Sequence, residues 1–127
     1  MKFYLASGLE NRKLVQYVRD RLLQAGHHQT YDWTKNERAT TEDALRDIGT
    51  AEWKAVMESD VVLVLLPGGR GTHTELGIAL GMQKEIHLYS KEKIDPATAT
   101  TFYYVDGIQH HNGSIDSFID AIVSIEK

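Results

Sequence analysis

The chain has 127 residues, of which 42% are hydrophobic and 25% are charged, and its formal net charge is −4. This length fits one compact domain over 1–127, and the composition excludes a largely disordered chain. The mildly acidic balance, with no basic block, argues against binding to polymeric nucleic acid, and the lack of cysteine excludes disulfides, thiolate zinc sites and a cysteine nucleophile.

Predicted strands and helices alternate along the chain. Hydrophobic residues recur at helical spacing from Leu14 to Ala25, Gly26 follows as a stop, and Ser114 is suited to cap the last helix. In chain order, the pattern predicts strand 2–6, helix 14–25, strand 27–33, loop 34–41, helix 42–58, strand 61–66, helix 72–82, strand 85–89, loop 91–101, strand 101–105 and helix 115–122.

The segment 61–66 is an unbroken apolar run, which is typical of a strand covered on both faces in a parallel sheet. Strands that alternate with helices, joined by right-handed crossovers, predict a single-domain α/β fold. It is a doubly wound, Rossmann- or flavodoxin-like three-layer sandwich with about five parallel strands. Ligands of such folds bind at the carboxyl ends of the strands. Segments 6–8 and 67–72 follow two of these strands and therefore fall at that edge.

The segment 67–72 combines three glycines with one arginine. We expect Gly68, Gly69 and Gly71 to adopt backbone torsions that other residues resist and to let a ligand approach the main chain. The helix that follows offers unpaired N–H groups and the positive end of its dipole. Arg70 adds a forked donor suited to phosphate. The pattern therefore predicts a site for an anion or a sugar hydroxyl.

Glu75 falls in the first turn of the helix predicted after this segment. A carboxylate at that edge can stabilise or trap the oxocarbenium-like carbon of a sugar whose base departs, and the helix N-terminus is expected to keep it ionised. A structural interpretation is also open, because 72–75 reads as a capping box in which the glutamate accepts from the Thr72 amide. The two interpretations are compatible.

Glu52 lies on the hydrophobic stripe of the second predicted helix, four residues from both Ile48 and Val56. A carboxylate on an inward face must find a partner or shift its pKa upward. A raised pKa suits a general acid that protonates a leaving base. The alternative is that Glu52 lies at the edge of the stripe and reaches solvent or a salt bridge.

Three segments together carry a family resemblance. Tyr4-Leu5-Ala6-Ser7, Asp60-Val61-Val62, and Gly71-Thr72 through Glu75-Leu76-Gly77 resemble the nucleoside 2-deoxyribosyltransferase family, which includes deoxynucleoside 5′-monophosphate N-glycosidases. The resemblance covers about residues 2–90 in order. It implies that Glu75 is the catalytic glutamate and Tyr4 the active-site tyrosine. It also implies that Glu52 stands where the family usually has an aspartate.

The resemblance also implies which end of the substrate the glycine-rich segment holds. Where the transferases carry an acidic residue near the sugar 5′ end, this chain has Gly69 followed by Arg70, which favours a 5′-phosphate over a free hydroxyl. The residues expected to bind the substrate are Ser7, Gly8, Gly68, Gly69, Arg70, Gly71 and Thr72.

Segment 67–75 carries a second resemblance, to the PGGxGTxxE pattern of phosphoribohydrolases that release cytokinin bases. Those proteins are longer and have a glycine-rich first loop that this chain lacks. Both families cleave N-glycosidic bonds with this glutamate, so the expected reaction class is the same.

Other polar or aromatic side chains have ordinary interpretations. Asn11 and Arg12 open the first helix and could reach the same ligand, although a solvated first turn is the favoured interpretation. His73 either reaches a base or phosphate or lies on the surface. Trp33 and Trp53 are interpreted as core or rim residues. The two adjacent histidine pairs do not point at one metal, so neither a metal nor an organic cofactor is predicted.

The expected partners are a small nucleoside or nucleotide and, from the resemblance, further copies of the chain in a homodimer or larger homo-oligomer. Segment 91–101 and the last helix are candidate contacts. No apolar run approaches the roughly 20 residues that span a bilayer, and residues 1–6 do not resemble a signal peptide, so we expect a cytoplasmic protein. The rival class is a non-catalytic nucleotide-sensing module on the same fold.

Overall fold

A computed structural model describes residues 1–125. Five strands and four helices alternate along them. They are β1 (Lys2–Ser7), α1 (Arg12–Gln24), β2 (His28–Gln29), α2 (Glu42–Glu58), β3 (Val61–Leu65), α3 (Arg70–Gly81), β4 (Glu85–Tyr89), β5 (Ile108–His111) and α4 (Ile115–Val123). Short 3₁₀ turns cover Leu9–Asn11, Trp33–Lys35 and Thr101–Tyr104. None of the helices within the described range is long and apolar enough to cross a bilayer.

The five strands form one parallel sheet in the order β2-β1-β3-β4-β5. Helices α1 and α4 contact each other, and α2 contacts α3, as expected for pairs on opposite faces of the sheet. The predicted doubly wound α/β class is confirmed. The chain leaves β1 toward β2 and then returns to the other side of β1 with β3, so the strand order reverses between β1 and β3. Ligand sites of such folds lie at this switch point.

Burial follows the hydrophobic pattern of the two central strands. All five residues of β3 are buried, and so are residues 3–6 of β1, because helices cover both faces of the sheet there. In α4, Phe118, Ile119 and Ile122 share the buried face that the sequence predicts. The core therefore fixes the register of β1 against β3, which pairs Tyr4 with Val62.

Two predicted strands at the sheet edges differ from the structure. The strand predicted over 101–105 is wrong. That segment forms a 3₁₀ turn in which Phe102 and Tyr104 are 59% and 49% exposed, and β5 lies instead at Ile108–His111. The sequence of β5 is polar and shows no clear alternation of apolar and polar residues, because a strand at the edge of the sheet is only half covered by the rest of the protein. The weak strand predicted over 27–33 is reduced to the two residues of β2 for the same reason.

Candidate active site

A cavity of about 590 Å³ opens at the carboxyl edge of the sheet, beside the switch point. Its walls come from the turn after β1, the first residue of α1, segment 33–39, the inner face of α2 and the first turns of α3. Most predicted site residues line it, whereas Tyr4 and Gly68 do not. The two predicted acidic residues, Glu52 and Glu75, both line the cavity.

The Tyr4 hydroxyl lies within hydrogen-bonding distance of both glutamates. Tyr4 is fully buried in the centre of β1, and its hydroxyl oxygen lies 2.5 Å from Glu75 Oε2 and 3.3 Å from Glu52 Oε2. The three side chains come from β1, α2 and α3, which meet only in the folded sheet. We call Glu52 and Glu75 the carboxyl pair.

Glu75 takes no part in a helix cap. Helix α3 begins at Arg70 with Gly69 as its N-cap, so Glu75 is the sixth helical residue and not part of the first turn. The Thr72 hydroxyl accepts from the Gly69 amide at 3.2 Å, and the Glu75 carboxyl accepts from Tyr4. The capping-box interpretation is therefore wrong for Glu75, and its side chain points inward, with the residue only 7% exposed.

The pKa values of both carboxyl groups are raised. Burial raises the pKa of Glu75 to about 8; the Tyr4 hydrogen bond opposes this shift, and the nearby Glu52 carboxyl adds to it. Burial also raises the pKa of Glu52, against hydrogen bonds from Glu75 and Tyr4. The expectation that the helix N-terminus keeps Glu75 ionised is wrong, because the loss of water dominates. Two interacting carboxyl groups of this kind share one proton near neutral pH.

The Tyr4 hydroxyl stays protonated next to this pair. Burial raises its pKa above the ordinary value, and the charges of Glu75 and Glu52 raise it further. Tyr4 is therefore a hydrogen-bond donor near neutral pH. It has one proton to give, and the shorter contact is to Glu75.

The glycines after β3 do not use left-handed torsions. Positive φ occurs in glycine only at Gly26, Gly107 and Gly113 within the described range, so the torsional expectation for the glycine-rich segment is wrong. Space explains Gly68 instead, because an added Cβ would lie 2.4 Å from Thr72 Cγ2. Added Cβ atoms at Gly69 and Gly71 would meet nothing within 4 Å, since these residues border the open cavity.

Several predicted ligand donors already have partners inside the protein. The Ser7 hydroxyl donates to the Leu65 carbonyl at 2.6 Å, and the Gly8 amide donates to the Pro67 carbonyl at 3.2 Å. These bonds tie the exits of β1 and β3 together. They give Ser7 and Gly8 a role in shaping the cavity wall.

The free donors lie in the first turn of α3. The hydrogen bond from the His73 amide to the Gly69 carbonyl, at 3.2 Å, closes this turn. The amides of residues 70–72 precede that bond and belong to the unpaired end of the helix. We call these three amides the amide cradle. They lie at the cavity, in a position suited to an anionic group.

The arginines fall into two groups. Arg19, Arg21 and Arg46 form ion pairs with aspartates. Arg12, Arg38 and Arg70 have no carboxylate within 4 Å among residues 1–125, and all three line the cavity. The arginines without acidic partners in the described part of the chain are therefore collected where a ligand can enter.

Arg12 is the most enclosed of the three. It is half-buried, its Nη2 reaches only the Asn36 carbonyl at 3.4 Å, and its Nε is buried without a partner in the described part of the chain. The interpretation of a solvated first turn is wrong for this residue. Its place at the start of the helix after β1 was the available signal.

The two tryptophans lie apart. Trp33 is buried at the cavity wall and donates from Nε1 to the Leu5 carbonyl at 2.7 Å, whereas Trp53 is half exposed on α2. Residues 1–125 contain no cluster of three or more histidine or acidic side chains that could hold a metal ion.

A carboxyl pair at the switch point of a doubly wound sheet, in a cavity that three arginines also line, defines a class of small α/β proteins suited to glycosyl transfer. The chain belongs to the nucleoside 2-deoxyribosyltransferase family, which it matches over residues 3–113. It is accordingly an enzyme of glycosyl transfer or hydrolysis, with nucleoside deoxyribosyltransferase or N-glycosidase activity. The predicted family and enzyme class are thus confirmed.

Solved structures share the fold. A CMP N-glycosidase from Clostridium botulinum is 17% identical, with a TM-score of 0.67 over 96% of this chain and 98% of that one. A 2-deoxyribosyltransferase from Bacillus psychrosaccharolyticus is 16% identical, with a TM-score of 0.73 over 99% and 93%. A conserved protein from Enterococcus faecalis V583 is 16% identical, with a TM-score of 0.60 over 97% and 86%. No curated protein matches the chain.

Proposed function

We propose that this enzyme cleaves the N-glycosidic bond of a nucleoside 5′-monophosphate, with Glu75 as nucleophile or electrostatic stabiliser and Glu52 as general acid. The observation that carries the proposal is the Tyr4 hydroxyl, 2.5 Å from one carboxyl oxygen and 3.3 Å from the other, beneath a cavity whose lining includes Arg12, Arg38 and Arg70 as well as Glu10 and Glu37. Carboxylates alone suffice for this bond, so no cofactor is required.

The roles that we propose need the shared proton on Glu52 and the negative charge on Glu75. Tyr4 donates to Glu75 over its shorter contact, and a hydrogen bond donated to a carboxylate favours the charged form of that group. Because burial raises the pKa of Glu75 to about 8, the resting pair also holds its proton on Glu75, and the reactive form is the one in which the proton lies on Glu52. A general acid with a raised pKa and a carboxylate held by a donor are the two groups that glycosyl transfer needs.

The proposed reaction has two steps, over which protons and electron pairs balance. The bond electrons leave with the base nitrogen and the base takes the proton of Glu52, while the Glu75 carboxylate bonds to the anomeric carbon or stabilises its charge. Water or a second base then attacks that carbon, Glu75 departs with its electron pair, and Glu52 takes up the proton of the attacking group. Water gives hydrolysis and a base gives transfer.

The amide cradle and the arginines without acidic partners support a phosphate on the substrate. Arg70 borders the cradle at one side of the cavity, and Arg12 lies half-buried in its wall. A phosphate matches both the cradle amides and forked guanidinium groups. A nucleoside with a free 5′-hydroxyl would leave these donors without a charged partner.

Incubation with nucleoside and deoxynucleoside 5′-monophosphates, followed by chromatography for free base, tests the proposal. We expect release of base with kcat/KM at least about tenfold higher for monophosphates than for the matching nucleosides, since a charge-assisted hydrogen bond contributes roughly 1.5–3 kcal/mol. Arg12→Gln and Arg70→Gln should each reduce this preference.

Arg46→Gln is the matched control, because Arg46 lies on the exposed side of α2 and pairs with Asp43. Equal rates for nucleosides and monophosphates would contradict the phosphate assignment. Nucleotide binding without release of base would indicate the rival, a nucleotide-sensing module.

The homo-oligomer remains a proposal. Leu45 and Trp53 on α2 are 56% and 50% exposed, and Leu45 also lines the cavity, so a second copy seated on this face would cover apolar surface and enclose the site. Sedimentation equilibrium measures the mass directly, and a monomer at micromolar concentration would contradict the proposal. Contacts through 91–101 and α4, and a cytoplasmic location, likewise stay predictions.

A further inference from the structure

His73 adjoins the amide cradle but its ring is engaged away from the cavity. Its Nδ1 lies 2.7 Å from the Gly69 carbonyl oxygen, and its Nε2 lies 2.6 Å from the Tyr103 hydroxyl. The two rings stack with centroids 5.7 Å apart. Neither interpretation of His73 from the sequence, as a ligand contact or a surface residue, describes this arrangement.

The partners of the ring fix its proton. A carbonyl oxygen only accepts, so Nδ1 of His73 carries the hydrogen and donates it to Gly69. In the neutral ring Nε2 is then the acceptor, and the Tyr103 hydroxyl donates to it. The Gly69 carbonyl therefore receives two bonds from one residue, from the His73 amide at 3.2 Å and from its ring.

Tyr103 is itself held in place. It is buried in the 3₁₀ turn Thr101–Tyr104, its amide donates to Thr100, and its carbonyl accepts from His110 Nε2 of β5 at 2.6 Å. A continuous set of hydrogen bonds thus runs from the last strand of the sheet through Tyr103 and His73 to Gly69. These side chains connect the C-terminal part of the chain to the ligand site.

Gly69 is the residue whose peptide groups set the direction of the cradle. Its amide is bonded to Thr72 and its carbonyl to His73, so both ends of the residue are fixed. The amides of residues 70–72 follow directly. Donors held in place before a ligand arrives bind it without the cost of ordering them.

We propose that His73 and Tyr103 are positioning residues that hold the amide cradle in its ligand-binding orientation. The assignment of phosphate to the cradle rests on the proposed function. The positioning itself rests on the contacts of His73 with Gly69 and Tyr103. Tyr103→Phe removes only the hydroxyl and leaves the ring packed, so it separates positioning from folding.

Nucleotide binding to variants made in the Glu75→Gln background, in which turnover is strongly slowed, measures the effect. With deoxycytidine 5′-monophosphate as the probe, we expect Tyr103→Phe to raise Kd about three- to tenfold, the effect of one neutral hydrogen bond, and to leave Kd for deoxycytidine unchanged. Tyr104→Phe is the matched control, because Tyr104 lies exposed on the same turn. An equal loss for both probes, or none, would overturn the proposal.

A mutant cycle tests the connection. His73→Leu should weaken binding of the monophosphate at least as much, and Tyr103→Phe should add nothing in that background. His73→Asn keeps a donor at the Nδ1 position and should restore most of the affinity lost in His73→Leu. Additive losses would mean that the two residues act separately.

Hydrogen exchange provides a readout without a ligand. The His73 amide bonds to the Gly69 carbonyl, so Tyr103→Phe should speed its exchange while Tyr104→Phe leaves it unchanged. Unchanged exchange in both variants would contradict positioning. If wild-type protein binds no nucleotide, the proposed function fails and this exchange result alone decides the inference.

Discussion

Glu75→Gln is expected to lower kcat for release of base by about 10⁴-fold, the scale of the loss when a catalytic carboxylate is replaced by its amide. The amide keeps the shape of the side chain and an oxygen that accepts from Tyr4, so the fold should persist. What disappears is the negative charge that bonds to or stabilises the anomeric carbon. Chromatographic assay of base release, with circular dichroism to verify folding, measures the effect.

Glu58→Gln is the matched control for this substitution, because Glu58 is an exposed glutamate at the end of α2, away from the cavity. It should retain wild-type kcat. A Glu75→Gln enzyme that keeps more than a tenth of the activity would show that another group performs the chemistry and would remove the basis of the proposed mechanism.

Glu75→Gln is also expected to stabilise the protein at alkaline pH. The folded pKa of Glu75 is about 8, against an ordinary value near 4.5, so the folded state binds more protons than the unfolded state between these values. The stability conferred by the protonated carboxyl is complete below about pH 4.5 and is lost as the pH rises through 8. Glutamine cannot ionise and avoids this loss.

Chemical denaturation at pH 5, 7 and 8.5 measures the effect as a difference between variant and wild type. We expect that difference to grow by about 1–3 kcal/mol toward high pH, since one pKa unit corresponds to about 1.4 kcal/mol. Burial lowers the pKa of His111, which by itself reduces stability as the pH falls, but this contribution cancels in the difference. A difference that is constant with pH would contradict the raised pKa.

The local hydrophobic pattern of the sequence was sufficient to predict the central strand of the sheet. Strand β3 is an unbroken apolar run, and only burial on both faces accounts for such a run, so its place in a parallel sheet could be predicted. The edge strands carry no such constraint. Segment 101–105 has strand-forming residues but forms a turn, because only Tyr103 among its aromatic residues finds a buried place.

The sequence predicted which residues form the site better than it predicted the contacts between them. The stripe on α2 placed Glu52 on an inward face, and the glycine-rich segment drew attention to Glu75. Both glutamates contact Tyr4, which is 48 positions from Glu52 and 71 positions from Glu75 along the chain. No local pattern encodes contacts between such distant residues. The bond from Tyr103 to His73 and the enclosure of Arg12 also depend on distant segments.

Tyr4, Glu52 and Glu75 come from three elements spread over the first two thirds of the chain, and none of the three can act alone in the proposed chemistry. A refolding intermediate that has formed β1 and α2 but has not docked α3 contains an acid without its carboxylate. The onset of turnover during refolding would therefore report the docking of α3 onto the sheet, which makes catalysis a kinetic probe of the final assembly of the core.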